Sequence, residues 1–265
     1  MKKSTTDWSG LQREEAARLH QQQLAEANAK IKNYAEALTQ AKKERDVALS
    51  LRDQKLTVHK IPAAVSSGES EATAFAIAGD WHVEETVDPK TVNGLNEFNL
   101  SIAEARIDRF FRAVLRLTEI ERAGTKIDNL VLCLLGDMMT GYIHEELQES
   151  NGLSPTQTVL WLRSRIVAGV KLLKDKGGFT KITVTCNYGN HGRTTKKMRH
   201  ATGAANSYEW MMYHMIKDDV PGVEWVIADG YFVIIDVYGR LIRIHHGDNV
   251  MYGGGIGGIT IPVEK

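Results

Sequence analysis

Four short stretches of this chain set metal-ligating side chains at the ends of apolar runs. In Ala76-Ile77-Ala78-Gly79-Asp80-Trp81-His82 the run stops at a carboxylate and an imidazole two residues apart. An extended segment points such a pair the same way, as ligands of one metal ion must point. The form recurs at Leu130-Val131-Leu132-Cys133-Leu134-Leu135-Gly136-Asp137, and again at Ile182-Thr183-Val184-Thr185-Cys186-Asn187-Tyr188-Gly189-Asn190-His191. Ile242-Arg243-Ile244-His245-His246-Gly247-Asp248 adds a fourth. Two divalent ions held side by side by such groups can grip the free oxygens of a phosphate and activate water for in-line displacement.

In order and spacing, these motifs resemble the calcineurin-like metallophosphoesterase superfamily. The resemblance implies that Asp80 and His82 bind one ion, that Asp137 bridges both, and that Asn190 and His246 bind the second. His246 is preferred to its competitor His245 because it directly precedes Gly247, and strand alternation sends the two to opposite faces. The implied cofactor is a pair of divalent ions, Mn first, with Fe, Zn or Mg as alternatives because such mixed donor sets accept several metals. The implied reaction is phosphoester hydrolysis through a metal-bridging hydroxide. His191 resembles the histidine that contacts the phosphate and protonates the leaving oxygen, a role that suits an imidazole near neutral pH.

Where many members carry an acid after that histidine, this chain has Gly192 and then Arg193, a candidate phosphate contact or else a solvated loop residue. Members also close the site with Gly-His-x-His, and none of the nine histidines here lies in such a motif. The expectation is a domain incomplete at its C-terminus, with each ion short of one ligand and Asp248 a partial substitute. Val92-Asn93-Gly94-Leu95-Asn96-Glu97 and Gly141-Tyr142-Ile143-His144-Glu145-Glu146 resemble a phage and prophage branch of the superfamily. They make Asn96 and His144 candidate substrate contacts, against the plainer readings of a helix start and a solvated surface.

The elements that must position these residues follow from periodicity. Residues 1–57 are rich in Ala, Gln, Glu, Lys and Arg and lack Pro, a helical composition. Leu24, Ile31 and Leu38 recur every seven residues with Ala27, Tyr34 and Ala41 between them, which gives either a coiled-coil seam and a homodimer or a single solvated helix. Residues 58–72, with Pro62 and a Ser/Gly cluster, read as a linker, and 73–265 as the phosphoesterase domain. Within it, helices are expected over Leu95–Ala123, Pro155–Lys176 and Gly203–Asp219. Strands Val223–Ile227, Tyr231–Val237 and Leu241–His245, separated by Asp229-Gly230 and Tyr238-Gly239, read as an antiparallel meander. The fold class is α/β, and the resemblance implies two facing mixed sheets flanked by helices, with an N-terminal helical extension.

At 265 residues the chain accommodates one catalytic domain and an appendage. Lys and Arg number 33, as do Asp and Glu, so the chain as a whole is no polycation, although Lys196, Lys197, Arg199 and His200 form a local basic patch. Two cysteines in apolar runs argue against a disulfide framework. No apolar run reaches the roughly 18 residues of a membrane span, and the N-terminus lacks an apolar signal core. A cytoplasmic protein is expected, in the bacterial host cytoplasm if phage-encoded, with no membrane partner. DNA is the favoured phosphodiester substrate. A phosphomonoesterase acting on phosphoprotein or nucleotide is the alternative within the class, and a catalytically defective nucleic-acid-binding or assembly module the alternative outside it.

Overall fold

The run Leu130-Val131-Leu132-Cys133-Leu134 is apolar at every position, and a strand of that kind needs cover on both faces. The computed structural model describes residues 58–63, 70–199 and 201–248, together with 18, 21, 22, 24–36, 38, 39 and 42. They fall into two units, divided between Gln54 and Lys55. In the first unit the described residues are helical and exposed. Ala41 of the heptad pattern lies outside the described residues, as does the Ser66-Ser67-Gly68-Glu69 cluster.

The second unit is α/β, with strands β1 (His59–Ile61), β2 (Glu71–Ala78), β3 (Lys126–Leu134), β4 (Lys181–Cys186), β5 (Glu224–Ile227), β6 (Phe232–Val237) and β7 (Arg240–His245). Its helices are α1 (Leu100–Glu121), α2 (Pro155–Lys176) and α3 (Tyr208–Asp219). One sheet has the order β2-β3-β4-β5, all parallel; the other has the order β1-β6-β7, with β1 parallel and β7 antiparallel to β6. Leu130, Leu132 and Leu134 pack on one side of β3 with Ile107, Phe111, Leu162, Ile166, Met212 and Ile216 of the helices. Val131 and Cys133 on its other side pack with Ile61, Ile235, Val237 and Ile244 of the second sheet. Both faces of β3 are thereby covered.

Local signals fix the helix ends. Asn99 caps α1 by accepting from the N–H of Ile102 at 3.0 Å, so the helix begins at Leu100 and not at Leu95 as the apolar spacing suggested. Ser154 and Gln157 form a capping box on α2, with Pro155 in the first turn. Where α1 and α2 cross, a Cβ on Gly169 would lie 2.1 Å from the Phe111 ring, so only glycine permits this approach. The third expected helix is in two pieces: a 3-10 turn at Ala204–Asn206, and α3, capped where the Ser207 side chain accepts from Trp210.

Two expectations are corrected. Residues 59–61, read as linker, form β1, because Ile61 supplies a buried side chain to the second sheet. The meander is only partly antiparallel. Asp229-Gly230 does not close a hairpin, since β5 pairs parallel with β4 and the chain then crosses to the other sheet to begin β6. A two-residue turn signal reports a reversal, not which strand lies beyond it. Tyr238-Gly239 does close the β6–β7 hairpin, with φ values of 55° and 80° at its two residues. Among the described residues, no helix is long and apolar enough to cross a membrane.

Glu224 on β5 ties the two sheets together. Its Oε1 is 3.0 Å from Nδ1 of His59 on β1, and its Oε2 is 2.9 Å from Nζ of Lys181 on β4 and accepts from the Thr183 hydroxyl. Partial burial alone would raise its pKa, but hydrogen bonds from Lys181, His59 and Thr183 hold it down to about 2. A carboxyl whose folded value lies below its ordinary 4.5 contributes stability that is present above 4.5 and lost as pH falls toward about 2. Urea unfolding across that range should show the wild type more stable than Glu224→Gln above pH 4.5, with the difference vanishing near pH 2. A constant difference would show that the charge of Glu224 contributes nothing.

Candidate metal centre

The candidate ligands converge because three loops run side by side beyond the carboxyl ends of β2, β3 and β4. Pairing continues past the strands: Leu135 N–H donates to Ala78 O, Asp80 N–H to Gly136 O, His82 N–H to Asp137 O, and Asn187 N–H to Leu134 O. Glycines allow the loops to touch. A Cβ on Gly136, where φ is 88°, would lie 2.2 Å from the Gly189 nitrogen, and one on Gly189 would lie 2.1 Å from Asp137 Oδ1. The Gly-Asp and Gly-Asn pairs of the sequence are therefore two sides of one contact.

Asp80 and His82 do converge, with His82 Nε2 4.0 Å from Asp80 Oδ1, but not through the extended backbone their spacing suggested. β2 ends at Ala78, and both residues have left-handed backbone, with φ of 53° and 43°. Asp137 is left-handed too, at 49°. Non-glycine residues take this conformation at a cost of order 1–3 kcal/mol each, and persist in it only where surrounding hydrogen bonds dictate it. Here the ladder between the first two loops does so.

Two groups of side chains bring their ligand atoms within 4.8 Å of one another: His82, Asp137 and His191, and Asp80, Asp137 and His246. Asp137 belongs to both. It is buried, its Oδ1 accepts from the His191 N–H at 2.8 Å, and its Oδ2 is 3.1 Å from His246 Nε2. Burial would raise its pKa, but the hydrogen bond and charge of His246 hold it below the usual carboxylate range. The Asn190 Oδ1 also lies 3.2 Å from His246 Nε2, so Asn190 joins the second group. His246 Nδ1 lies 2.9 Å from Leu135 O and donates to it, which directs Nε2 into the site. Burial lowers the pKa of His246, yet Asp137 outweighs it and pushes the value up to about 9. A carboxylate oxygen, an amide oxygen and an imidazole nitrogen thus face one point, which a proton on Nε2 or a cation can fill.

The first group is set by Thr140. Its carbonyl accepts from His191 Nδ1 at 3.0 Å, which leaves Nε2 of that ring as its other polar atom, and its hydroxyl lies 3.3 Å from His82 Nδ1. The His82 and His191 rings meet edge to face at 4.6 Å. Burial, the largest influence on His82, lowers its pKa, which favours the neutral ring a metal requires. Donor types and convergence are those of groups that could hold a metal ion, and Asp137 belongs to both.

The remaining candidates lie differently. Arg193 donates to the carbonyls of Asn190 at 2.6 Å and Thr195 at 3.1 Å, so its guanidinium braces the loop that carries Asn190. Asn96 is exposed in the loop before α1, and His144 is exposed before the short helical turn Leu147–Ser150. Among the described residues, no hydrogen bond joins either to the centre. His245, the last residue of β7, is a neighbour and not a member of either group.

Two residues carry weight that their place in the sequence does not suggest. Glu84 is fully buried, and its Oε1 accepts from the N–H groups of Thr140 and Gly141 at 2.9 and 2.8 Å. Glu209 on α3 is fully buried as well; its oxygens accept from Met138 at 2.6 Å and Gly189 at 2.7 Å. Burial first, then the charge of Asp137, pushes the Glu209 pKa up to about 7. No local pattern marks either glutamate, since a Glu in sequence is ordinarily a surface residue.

Added Mn at a hundredfold excess over its Kd should stabilise the fold by about 2.7 kcal/mol. Asp137→Asn should remove that gain, read as the loss of a Mn-induced rise in Tm. Because His246 carries a proton at Nε2 below about pH 9, an ion must displace it, so Mn affinity should climb from neutral pH toward about 9. Calorimetric titrations giving a flat affinity over that range would remove His246 from the ligand set. Comparison with family models, with curated proteins and with solved structures found no match to this chain, so the centre stands on its own geometry.

Proposed function

We propose that this chain is a dinuclear-metal phosphoesterase of the calcineurin-like kind, and within that class a phosphodiesterase acting on DNA. The observation that carries the reading is the shared position of Asp137 in two ligand groups, one completed by His82 and His191 and the other by Asp80, His246 and Asn190. Divalent ions at such a centre supply Lewis acidity and a lowered pKa for bound water. The chain's own residues hold, orient and move protons. His191, whose Nδ1 is fixed by the Thr140 carbonyl, presents Nε2 toward the same space, suited to protonating a leaving oxygen. Its grouping with His82 and Asp137 also suits a ligand, and the two roles separate by whether its loss releases metal.

Several features support DNA as substrate. Lys196, Lys197 and Arg199 are partly or fully exposed, and they follow directly on the loop that carries Asn190 and Arg193. Cations so placed track a phosphate backbone without reading bases. The two sheets, meeting through Val131, Cys133, Ile235 and Ile244, suit the layered sandwich the resemblance implies. Self-association through an N-terminal helical extension belongs to the same reading, since Leu24, Ile31, Tyr34 and Leu38 are exposed at heptad spacing. A cytoplasmic location does too, with Cys133 and Cys186 both free and buried.

With Mn, the protein should cleave single- or double-stranded DNA, and Asp137→Asn should not. Activity on a small phosphomonoester alone would move the substrate to that class, and bound Mn without any hydrolysis would favour a binding module. His191→Asn should lower kcat by about 10²- to 10⁴-fold while Mn stays bound; loss of Mn in that variant would make His191 a ligand instead. Replacing Lys196, Lys197 and Arg199 by Ala should flatten the salt dependence of DNA binding by about 0.7–0.9 in the log-log slope for each phosphate that is no longer neutralised.

A further inference from the structure

Glu209 takes no part in the reaction proposed above, yet like Glu84 it is fully buried beside the centre. It is wholly buried, and among the described residues no Lys or Arg pairs with it. Each of its oxygens is spent on one backbone donor: Oε1 on Met138 N–H at 2.6 Å, and Oε2 on Gly189 N–H at 2.7 Å. Met138 directly follows Asp137, and Gly189 directly precedes Asn190. A single carboxylate therefore spans the β3 and β4 loops, one residue away from a candidate ligand on each.

The surroundings are fitted to this side chain. Gly192 leaves the space that Glu209 fills, since a Cβ there would lie 2.8 Å from Glu209 Cγ. An apolar side chain in its place would leave two buried N–H groups without partners, at about 1–3 kcal/mol each. A neutral amide would satisfy only one of them, because its NH₂ group faces the other donor. The need for two acceptor oxygens at a fixed separation selects a carboxylate.

We propose that Glu209 is a positioning residue that sets the separation of Asp137 from Asn190, and through them the spacing of two bound ions. The inference rests on the reading of Asp137 and Asn190 as metal ligands. Groups that orient metal ligands in this indirect way typically change metal affinity by about 10- to 100-fold when removed.

The test is Mn binding by the full chain and by Glu209→Gln, followed by calorimetry and by the exchange-coupled Mn(II) resonance that only a closely spaced pair of ions gives. Cooperative thermal unfolding identifies variants that fold. Wild type should bind two Mn ions and show the coupled signal. Folded Glu209→Gln should keep one site, lose the coupled signal, and bind the second ion about 10- to 100-fold more weakly. A folded variant with both affinities and the coupled signal unchanged overturns the inference while leaving the metal reading intact. A wild-type protein that binds no Mn overturns both together. Should Glu209→Gln not fold, Glu209→Asp carries the same measurement: it keeps the charge, but its shorter stem cannot serve both loops. Wild-type pairing of ions in that variant is then the overturning result.

Discussion

Everything about the centre depends on the contact between Gly136 and Gly189. Parallel pairing of β3 with β4 in the register Leu134 to Cys186 delivers the two loops side by side, but ordinary strand spacing would leave room for a Cβ between them. Here the backbones close to a distance no Cβ tolerates. That approach lets Asp137 Oδ1 accept from the His191 N–H across the gap, and lets Asn190 and Asp137 both reach His246. A methyl group at either glycine would separate the groups that have to meet.

The electrostatics follow from this crowding. Asp137, Glu84 and Glu209 bring three buried carboxyl groups into one region, together with the imidazoles of His82, His191 and His246. Backbone N–H groups answer much of that charge: Thr140 and Gly141 for Glu84, Met138 and Gly189 for Glu209, His191 for Asp137. Asp137 Oδ2, Asn190 Oδ1 and His246 Nε2 remain directed at one another. The raised pKa of His246 is the protein's answer with a proton alone. A divalent ion answers the same deficit with more charge, so proton and metal compete for one place.

Much of this fold was legible because its signals are local. Helix α2 begins and ends where Pro155 and Gly177 mark it, and α1 differs from expectation only where the Asn99 cap overrides apolar spacing. The stretches that carry the candidate ligands were legible as apolar runs that stop at Gly followed by a polar residue. What stayed hidden was non-local. Nothing near Asp229-Gly230 says that β6 joins a different sheet from β5, because partner choice depends on which side chains are already buried across the domain. The geometry of Asp80 and His82 was hidden for a similar reason: their left-handed backbone is imposed by hydrogen bonds to a loop more than fifty residues away. Glu84 and Glu209 look like surface glutamates until the loops they hold are in place.

The same non-locality explains why the site is built from backbone as much as from side chains. Left-handed conformations at Asp80, His82 and Asp137 carry a cost that a flexible loop would shed by relaxing. They are retained because each loop is held twice, once by the ladder extending β2 and β3 and once by a buried glutamate. Side chains fixed in this way would meet an ion without first being ordered, because the entropic cost of assembling the site falls on folding and not on binding. Arg193 extends the logic to the third loop, where its guanidinium grips the Asn190 carbonyl and so orients the residue whose amide faces His246. A side chain read in the sequence as a candidate phosphate contact thus also braces the backbone of Asn190.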